Sequence, residues 1–254
     1  YLLLCGHYFR EQRFADGVRT CSAAEAMKKD SAGTILSLQR LLATVGPARW
    51  SRPDVVMLLR DGAWTTVRRG DVTVAALVDT GAELGLISES LATSLNARIL
   101  EQRFELGTTT TPVAGRVAVI DELQVGNAKL TNLSMLLLSD EQLAYSGLKL
   151  VIPIQAIVAN RRLAYLDHGK KLVLGDAAPP LGEHRTPLYW DEAGIGFGVD
   201  FAEGRRGVHF DTGSNRTWLF PAAASALSKA EKATRTPHKR RIGGVGGERV
   251  ENAS

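Results

Sequence analysis

The chain has 254 residues, 44% of them hydrophobic and 23% charged, with a net charge of +4. This is the balance of a soluble globular chain long enough for one large domain or two small ones, and it excludes fibrous and highly charged disordered classes. Basic residues are scattered except at His238-Lys239-Arg240-Arg241, and only 6% of residues are aromatic, so no basic face with interleaved aromatics marks a nucleic-acid partner.

Residues 1–48 read as a helical segment. Leu4, Cys5, Tyr8, Phe14, Gly17, Cys21 and Ala24 recur at helical spacing with a break near Arg13. The spacing resembles a tetratricopeptide-type helix hairpin. In that register Cys5 and Cys21 share the inner face, either as small buried side chains or as a disulfide in an oxidising compartment. A single hairpin cannot bury its own face. It is expected to pack on the next domain or to end an array, and it could receive a protein partner. A further helix over Thr34 to Thr44 stops at Gly46-Pro47. The chain opens on Tyr1 without an initiator Met, as a trimmed product would.

Beyond Pro53 the period becomes that of strands. Asp54 to Arg60 is expected to turn at Asp61-Gly62 into Ala63 to Arg68, because Asp-Gly between apolar runs is a strong hairpin signal. Arg69-Gly70-Asp71 turns again into Val72 to Val78, expected as a buried strand. Ser90 to Asn96 reads as a short helix. Phe104 to Thr111 and Gly115 to Leu123 read as strands of a protruding hairpin around Pro112. Strands are then expected at Leu133 to Leu138 and Lys149 to Pro153, a short helix at Gln155 to Ala159, and a closing hairpin over Leu163 to Leu174 with a His168-Gly169 turn. Asp176 to Gly182 reads as a linker. Strands at Thr186 to Trp190, Gly194 to Phe201 and Arg206 to Phe210 begin a second unit.

Both units contain the same motif. Val78-Asp79-Thr80-Gly81-Ala82 and Phe210-Asp211-Thr212-Gly213-Ser214 are each an Asp-Thr-Gly closing an apolar run, and the segments that follow align without a gap at an offset of 132 residues. This is an internal duplication. At the same offset Gly115 to Val119 lies over Gly247 to Glu251, which puts the glycine-rich Gly243 to Gly247 on a hairpin tip. The second unit stops at Ser254, before the counterpart of the first unit is complete, so the second lobe is expected to be incomplete in this chain.

An Asp-Thr-Gly at the end of a buried strand holds a carboxylate there. Gly81 and Gly213 allow a sharp turn that brings N–H groups toward it, and Thr80 and Thr212 can tie the two loops together. Related by a pseudo-twofold axis, Asp79 and Asp211 would face each other and share one proton over an acidic range. One could then act as base on a water while the other donates to a carbonyl.

The paired motif resembles the aspartic peptidases of the pepsin and retropepsin type, over about residues 50 to 254. The resemblance implies a mainly β fold of two acid-protease-like barrel lobes, 49–176 and 183–254, following the 1–48 helical segment, with the active site in the cleft between the lobes. It implies an aspartic endopeptidase acting on a peptide or protein substrate, with Asp79 and Asp211 catalytic. Thr80, Gly81, Ala82, Thr212, Gly213 and Ser214 would support the loops, and Thr109, Thr110, Thr111, Pro112 and Val113 would lie in a substrate-covering flap. The apolar run expected beneath the first catalytic loop is Leu150-Val151-Ile152-Pro153, with Pro where the family has Gly. The flap lacks a Tyr, and the offset suits lobes of retropepsin size.

Neither metal nor cofactor is expected. The five histidines and two cysteines fall at no ligand spacing, and no apolar run approaches the roughly 18 residues of a membrane span. Gly243 to Gly247 does not join a strand to a helix as a phosphate loop would. Glu83 reads as a solvated or loop-bonding residue, and Trp218 and Phe220 as core or subsite wall. A periplasmic or secreted location is expected, with a cytoplasmic one as the alternative. The alternative to an endopeptidase is a non-catalytic interaction scaffold on a degenerate protease fold.

Overall fold

A computed structural model describes residues 2–27, 32–106, 113–144, 146–153, 156, 163–178, 188–191, 194–201, 204–214, 238–244 and 247–253. It opens with α1 (Leu2–Arg10), α2 (Phe14–Ala26) and α3 (Ala32–Val45). The break near Arg13 separates α1 from α2. Gly46, with φ +88°, ends α3 where the left-handed conformation stops the helical ladder. Cys5 and Cys21 are fully buried and joined in a disulfide, so they are more than small core side chains. Gln39 of α3 is fully buried among the three helices, its Nε2 donating to the Cys5 carbonyl at 2.9 Å.

The helices do pack on the next unit. Phe14, Leu38 and Leu42 form one buried cluster with Phe104, Val117 and Val119 of the sheet. Each such side chain removed from water contributes about 1.5–3 kcal/mol, which is how short helices of this kind are held.

The first β unit contains β1 (Arg49–Trp50), β2 (Val55–Leu58), β3 (Trp64–Arg69), β4 (Val72–Asp79), β5 (Gly85–Ser88), α4 (Glu89–Ser94), β6 (Arg98–Leu106), β7 (Val113–Val125), β8 (Ala128–Leu138), α5 (Asp140–Ala144), β9 (Leu150–Pro153), β10 (Leu163–Leu166) and β11 (Lys171–Leu174). Six strands close into a ring in the order β8-β5-β9-β4-β3-β7, with β7 pairing back to β8; β1 and β6 flank the ring. Closure leaves these six strands without a free edge. Its interior is the main core, with Val78, Ile87, Ile120, Leu123, Leu133, Met135 and Ile152 among its fully or almost fully buried residues. The fold is mainly β, as expected.

Two expectations are corrected. The Asp61-Gly62 turn forms with both residues left-handed, at φ +47° and +84°. Yet its hairpin is a single bridge, Arg60 to Trp64, and β2 pairs instead with β11, Met57 opposite Leu172. That distant pairing buries Val55, Met57, Leu172 and Leu174 completely, which a local hairpin alone would not do. The strand leading to Asp79 is buried only at its end. From Val72 to Ala75 it alternates between half-buried and exposed residues, and Ala76, Leu77 and Val78 are buried.

The second unit supplies β12 (Leu188–Asp191), β13 (Gly194–Phe201) and β14 (Gly204–His209), which form a three-stranded antiparallel sheet, and the hairpin of β15 (His238–Gly244) and β16 (Gly247–Ala253). Gly244 pairs with Gly247, so the glycine-rich run does occupy a hairpin tip, and the basic cluster lies on β15. The predicted helix over Gln155 to Ala159 lies outside the described residues except for the helical Ala156; Trp218, Phe220 and the linker beyond Ala178 also lie outside them. No helix among the described residues is long and apolar enough to cross a membrane.

Candidate active site

Asp79 is the last residue of β4. β9 runs parallel beside it, with Leu77 opposite Val151, Val78 opposite Ile152 and Asp79 opposite Pro153. The apolar run predicted to lie beneath the first loop therefore does so, with Pro153 level with Asp79. On the other side the Val78 N–H donates to the Ala63 carbonyl at 2.9 Å. Asp211 follows β14 by two residues; the Phe210 N–H donates to the Ile195 carbonyl at 2.8 Å, and Ile195 packs against the core of the first unit. The two loops are thereby brought together.

They interlock through their threonines. The Thr80 N–H donates to Thr212 Oγ1 at 3.0 Å, and the Thr212 N–H donates to Thr80 Oγ1 at 2.8 Å. Each hydroxyl then donates across to the other strand: Thr80 Oγ1 to the Phe210 carbonyl and Thr212 Oγ1 to the Val78 carbonyl, both at 2.6 Å. Four bonds thus relate the copies by an approximate twofold axis. Thr80 is buried at 1% exposure, so its groups depend on these partners.

The carboxylates sit symmetrically as well. Asp79 Oδ1 accepts the Gly81 N–H and Asp211 Oδ1 accepts the Gly213 N–H, each at 2.8 Å. The N–H groups thus turn to the carboxylates as expected, and the glycines have a second role besides. Neither has a left-handed φ. A Cβ on Gly81 would lie 2.8 Å from the Asp211 carboxyl carbon, and one on Gly213 would lie 2.5 Å from Asp79 Oδ2. Each glycine leaves room for the opposite carboxyl.

Asp79 is half-buried and Asp211 exposed. Burial raises the Asp79 pKa to about 6, and the Asp211 charge and a hydrogen bond with Asp211 push the same way against the opposing Gly81 and Ala82 N–H groups. Ala82 itself packs beside Ala63, Leu77 and Val151. Ser214 donates its N–H to the Asp211 carbonyl at 3.3 Å. Of the flap residues, Thr109, Thr110, Thr111 and Pro112 lie outside the described residues. Val113 starts β7, buried against Leu136, Leu138 and Leu143.

Two neighbours escaped the sequence, Arg10 and Tyr165. Arg10 of α1 reaches Glu83 with a double hydrogen bond, so Glu83 bonds to a helix rather than within its own loop. Phe210 takes the Tyr165 ring edge-on at 5.9 Å between centroids. Tyr165 is also pushed up to about 12, first by burial, with the Asp79 charge adding and Thr212 opposing. Its hydroxyl is buried close to Thr212 without a hydrogen bond of ordinary geometry. Only the Asp-Thr-Gly repeat was a local signal; these contacts join residues far apart in sequence.

Residues 65–148 match the family model described as aspartyl protease. The match spans the first Asp-Thr-Gly loop and leaves the tetratricopeptide likeness of the N-terminal helices without support. No curated protein matches. A solved structure, "Crystal structure of a retropepsin-like aspartic protease from Rickettsia conorii", is 12% identical, with 50% of this chain and 92% of that chain covered at a TM-score of 0.34. The family match includes the first Asp-Thr-Gly motif, at Asp79, and ends before the second, at Asp211.

Proposed function

We propose that the protein is an aspartic endopeptidase whose catalytic pair is Asp79 and Asp211, acting on a peptide or protein substrate. The observation that carries this is the reciprocal threonine lock, which sets each loop's glycine against the other loop's carboxyl. Two carboxyls held this way cannot both ionise freely, so the pair retains one proton into the acidic range. The ionised member takes a proton from water while the other donates its proton to the scissile carbonyl oxygen. The water oxygen bonds to the carbonyl carbon, giving a neutral gem-diol. A proton then passes to the amide nitrogen, the C–N bond breaks, and the products leave as a carboxylic acid and an amine. The enzyme forms no covalent bond to the substrate.

Gly81, Ala82, Gly213 and Ser214 hold the carboxyls through their loops, and Thr80 and Thr212 hold the loops to each other. We assign the lobes to 49–176 and 183–254, a division supported by the closed ring in one and the separate three-stranded sheet in the other. A periplasmic or secreted location is supported by the buried Cys5–Cys21 disulfide.

The test is cleavage of an unfolded protein at about pH 4, where a dyad holding a single proton is active. Cleavage blocked by a statine-type transition-state mimic, and abolished in Asp79→Asn and Asp211→Asn, is expected. Undiminished cleavage in either variant would remove that residue from the mechanism.

A further inference from the structure

We propose that Arg10 is a positioning residue for the Asp79 loop, which makes the N-terminal helices a working part of the active site. The proposal rests on the peptidase reading above. Arg10 lies in the last turn of α1 with its side chain only 13% exposed, and its Nε and Nη2 donate to Glu83 Oε1 at 3.0 and 2.8 Å. Glu83 directly follows Gly81 and Ala82, the two residues whose N–H groups bond to the Asp79 carboxylate. The next residue, Leu84, packs on the cluster that holds Phe9 and Phe14 beside α3. The loop is therefore fixed at two points: Thr212 holds Thr80, and the helical segment holds Glu83 and Leu84.

The anchor is itself firm. Cys5–Cys21 joins α1 to α2, and Gln39 of α3 donates to the Cys5 carbonyl. The same helical unit packs on Phe104 and Val117, in the stem of the hairpin that carries the predicted flap. One rigid unit thus braces both the loop that holds Asp79 and the hairpin beside it.

A partly exposed ion pair contributes little to stability. A merely structural role predicts that breaking the pair leaves turnover unchanged. Positioning predicts a loss in kcat, because a displacement of about 1 Å at reacting groups costs up to about a hundredfold in rate.

The experiment uses the full chain in four forms: wild type, Arg10→Met, Arg10→Glu, and Arg10→Glu with Glu83→Arg. Steady-state peptide cleavage is read together with amide hydrogen exchange over residues 79–86. Arg10→Met is expected to lower kcat about tenfold, to leave KM within about twofold, and to speed exchange in that segment. Arg10→Glu should be worse on both counts, and the charge-swapped double variant should recover most of both. Where the wild type cleaves, an unchanged kcat in Arg10→Met, or no recovery in the swap, overturns the proposal. If the wild type cleaves nothing, the peptidase reading fails separately and exchange decides the positioning: faster in Arg10→Met supports it, unchanged overturns it.

Discussion

The two Asp-Thr-Gly loops have the same local structure in different surroundings. Each aspartate accepts its own glycine's N–H at 2.8 Å, and each threonine reaches across to the other loop. The Asp79 loop, however, ends a strand of a closed six-strand ring, lies level with Pro153 of a parallel neighbour, and is braced by Arg10. The Asp211 loop ends a three-stranded antiparallel sheet and leaves Asp211 itself exposed. Four residues suffice to make the loop; what surrounds it determines what kind of acid it carries. Burial and the neighbouring carboxyl raise Asp79 to about 6.

The likeness of the loops is tested most severely by removing either carboxyl. Asp79→Asn and Asp211→Asn should each lower kcat by on the order of a thousandfold or more, since each removes half of the proposed acid–base pair; a large loss in only one would break the symmetry of role. Next come the glycines. Gly81→Ala and Gly213→Ala should each cost tens of fold in kcat/KM by displacing the opposite carboxyl. Gly213→Ala should be the worse, because its Cβ would come within 2.5 Å of an oxygen. The threonines then separate the loops by burial. Thr80→Val and Thr212→Val each remove bonds from groups that lose their partners, at about 1–3 kcal/mol apiece by denaturant unfolding. The more buried Thr80 should fall at the upper end.

The pH dependence of stability separates the loops in another way. With a folded pKa near 6 against an unstressed 3.8, Asp79 keeps its proton in the folded chain after the unfolded chain has released it. Its contribution is therefore fully present below about pH 4 and is lost as pH rises from about 4 to 6. Unfolding measured across that window should show the slope in the wild type and a flatter profile in Asp79→Asn.

Much of this arrangement was legible in the sequence because it is local or repeated. The offset of 132 residues reappears as the separation between Thr80 and Thr212 in their two backbone-to-hydroxyl bonds. The Asp61-Gly62 turn and the helix stop at Gly46 each follow from backbone conformations that few other residues favour. What stayed hidden depends on distant partners. β2 joins β11 across more than a hundred residues, and Arg10 meets Glu83 across 73. Nothing near Met57 or Arg10 states such a partner, because burial and charge are satisfied by whatever the topology delivers. A second role of Gly81 stayed hidden for the same reason: the turn that brings its N–H to Asp79 is a local need, whereas room for Asp211 is visible only once the loops meet. The duplicate hairpins also differ. The described pairing is bulged between Leu100 and Arg103 in the first and unbroken from His238–Ala253 to Gly244–Gly247 in the second, so the repeat implied a hairpin in each unit and not its regularity.

The central claim is that two carboxyls meet and hold one proton between them. The most direct measurement is the carbon-13 titration of the Asp79 and Asp211 side-chain carboxyls by NMR in the wild type and in Asp211→Asn. The account predicts two coupled steps in the wild type, the upper near 6, and a lower Asp79 step once the Asp211 charge is gone. Two independent titrations near 4, unchanged by the substitution, would contradict it.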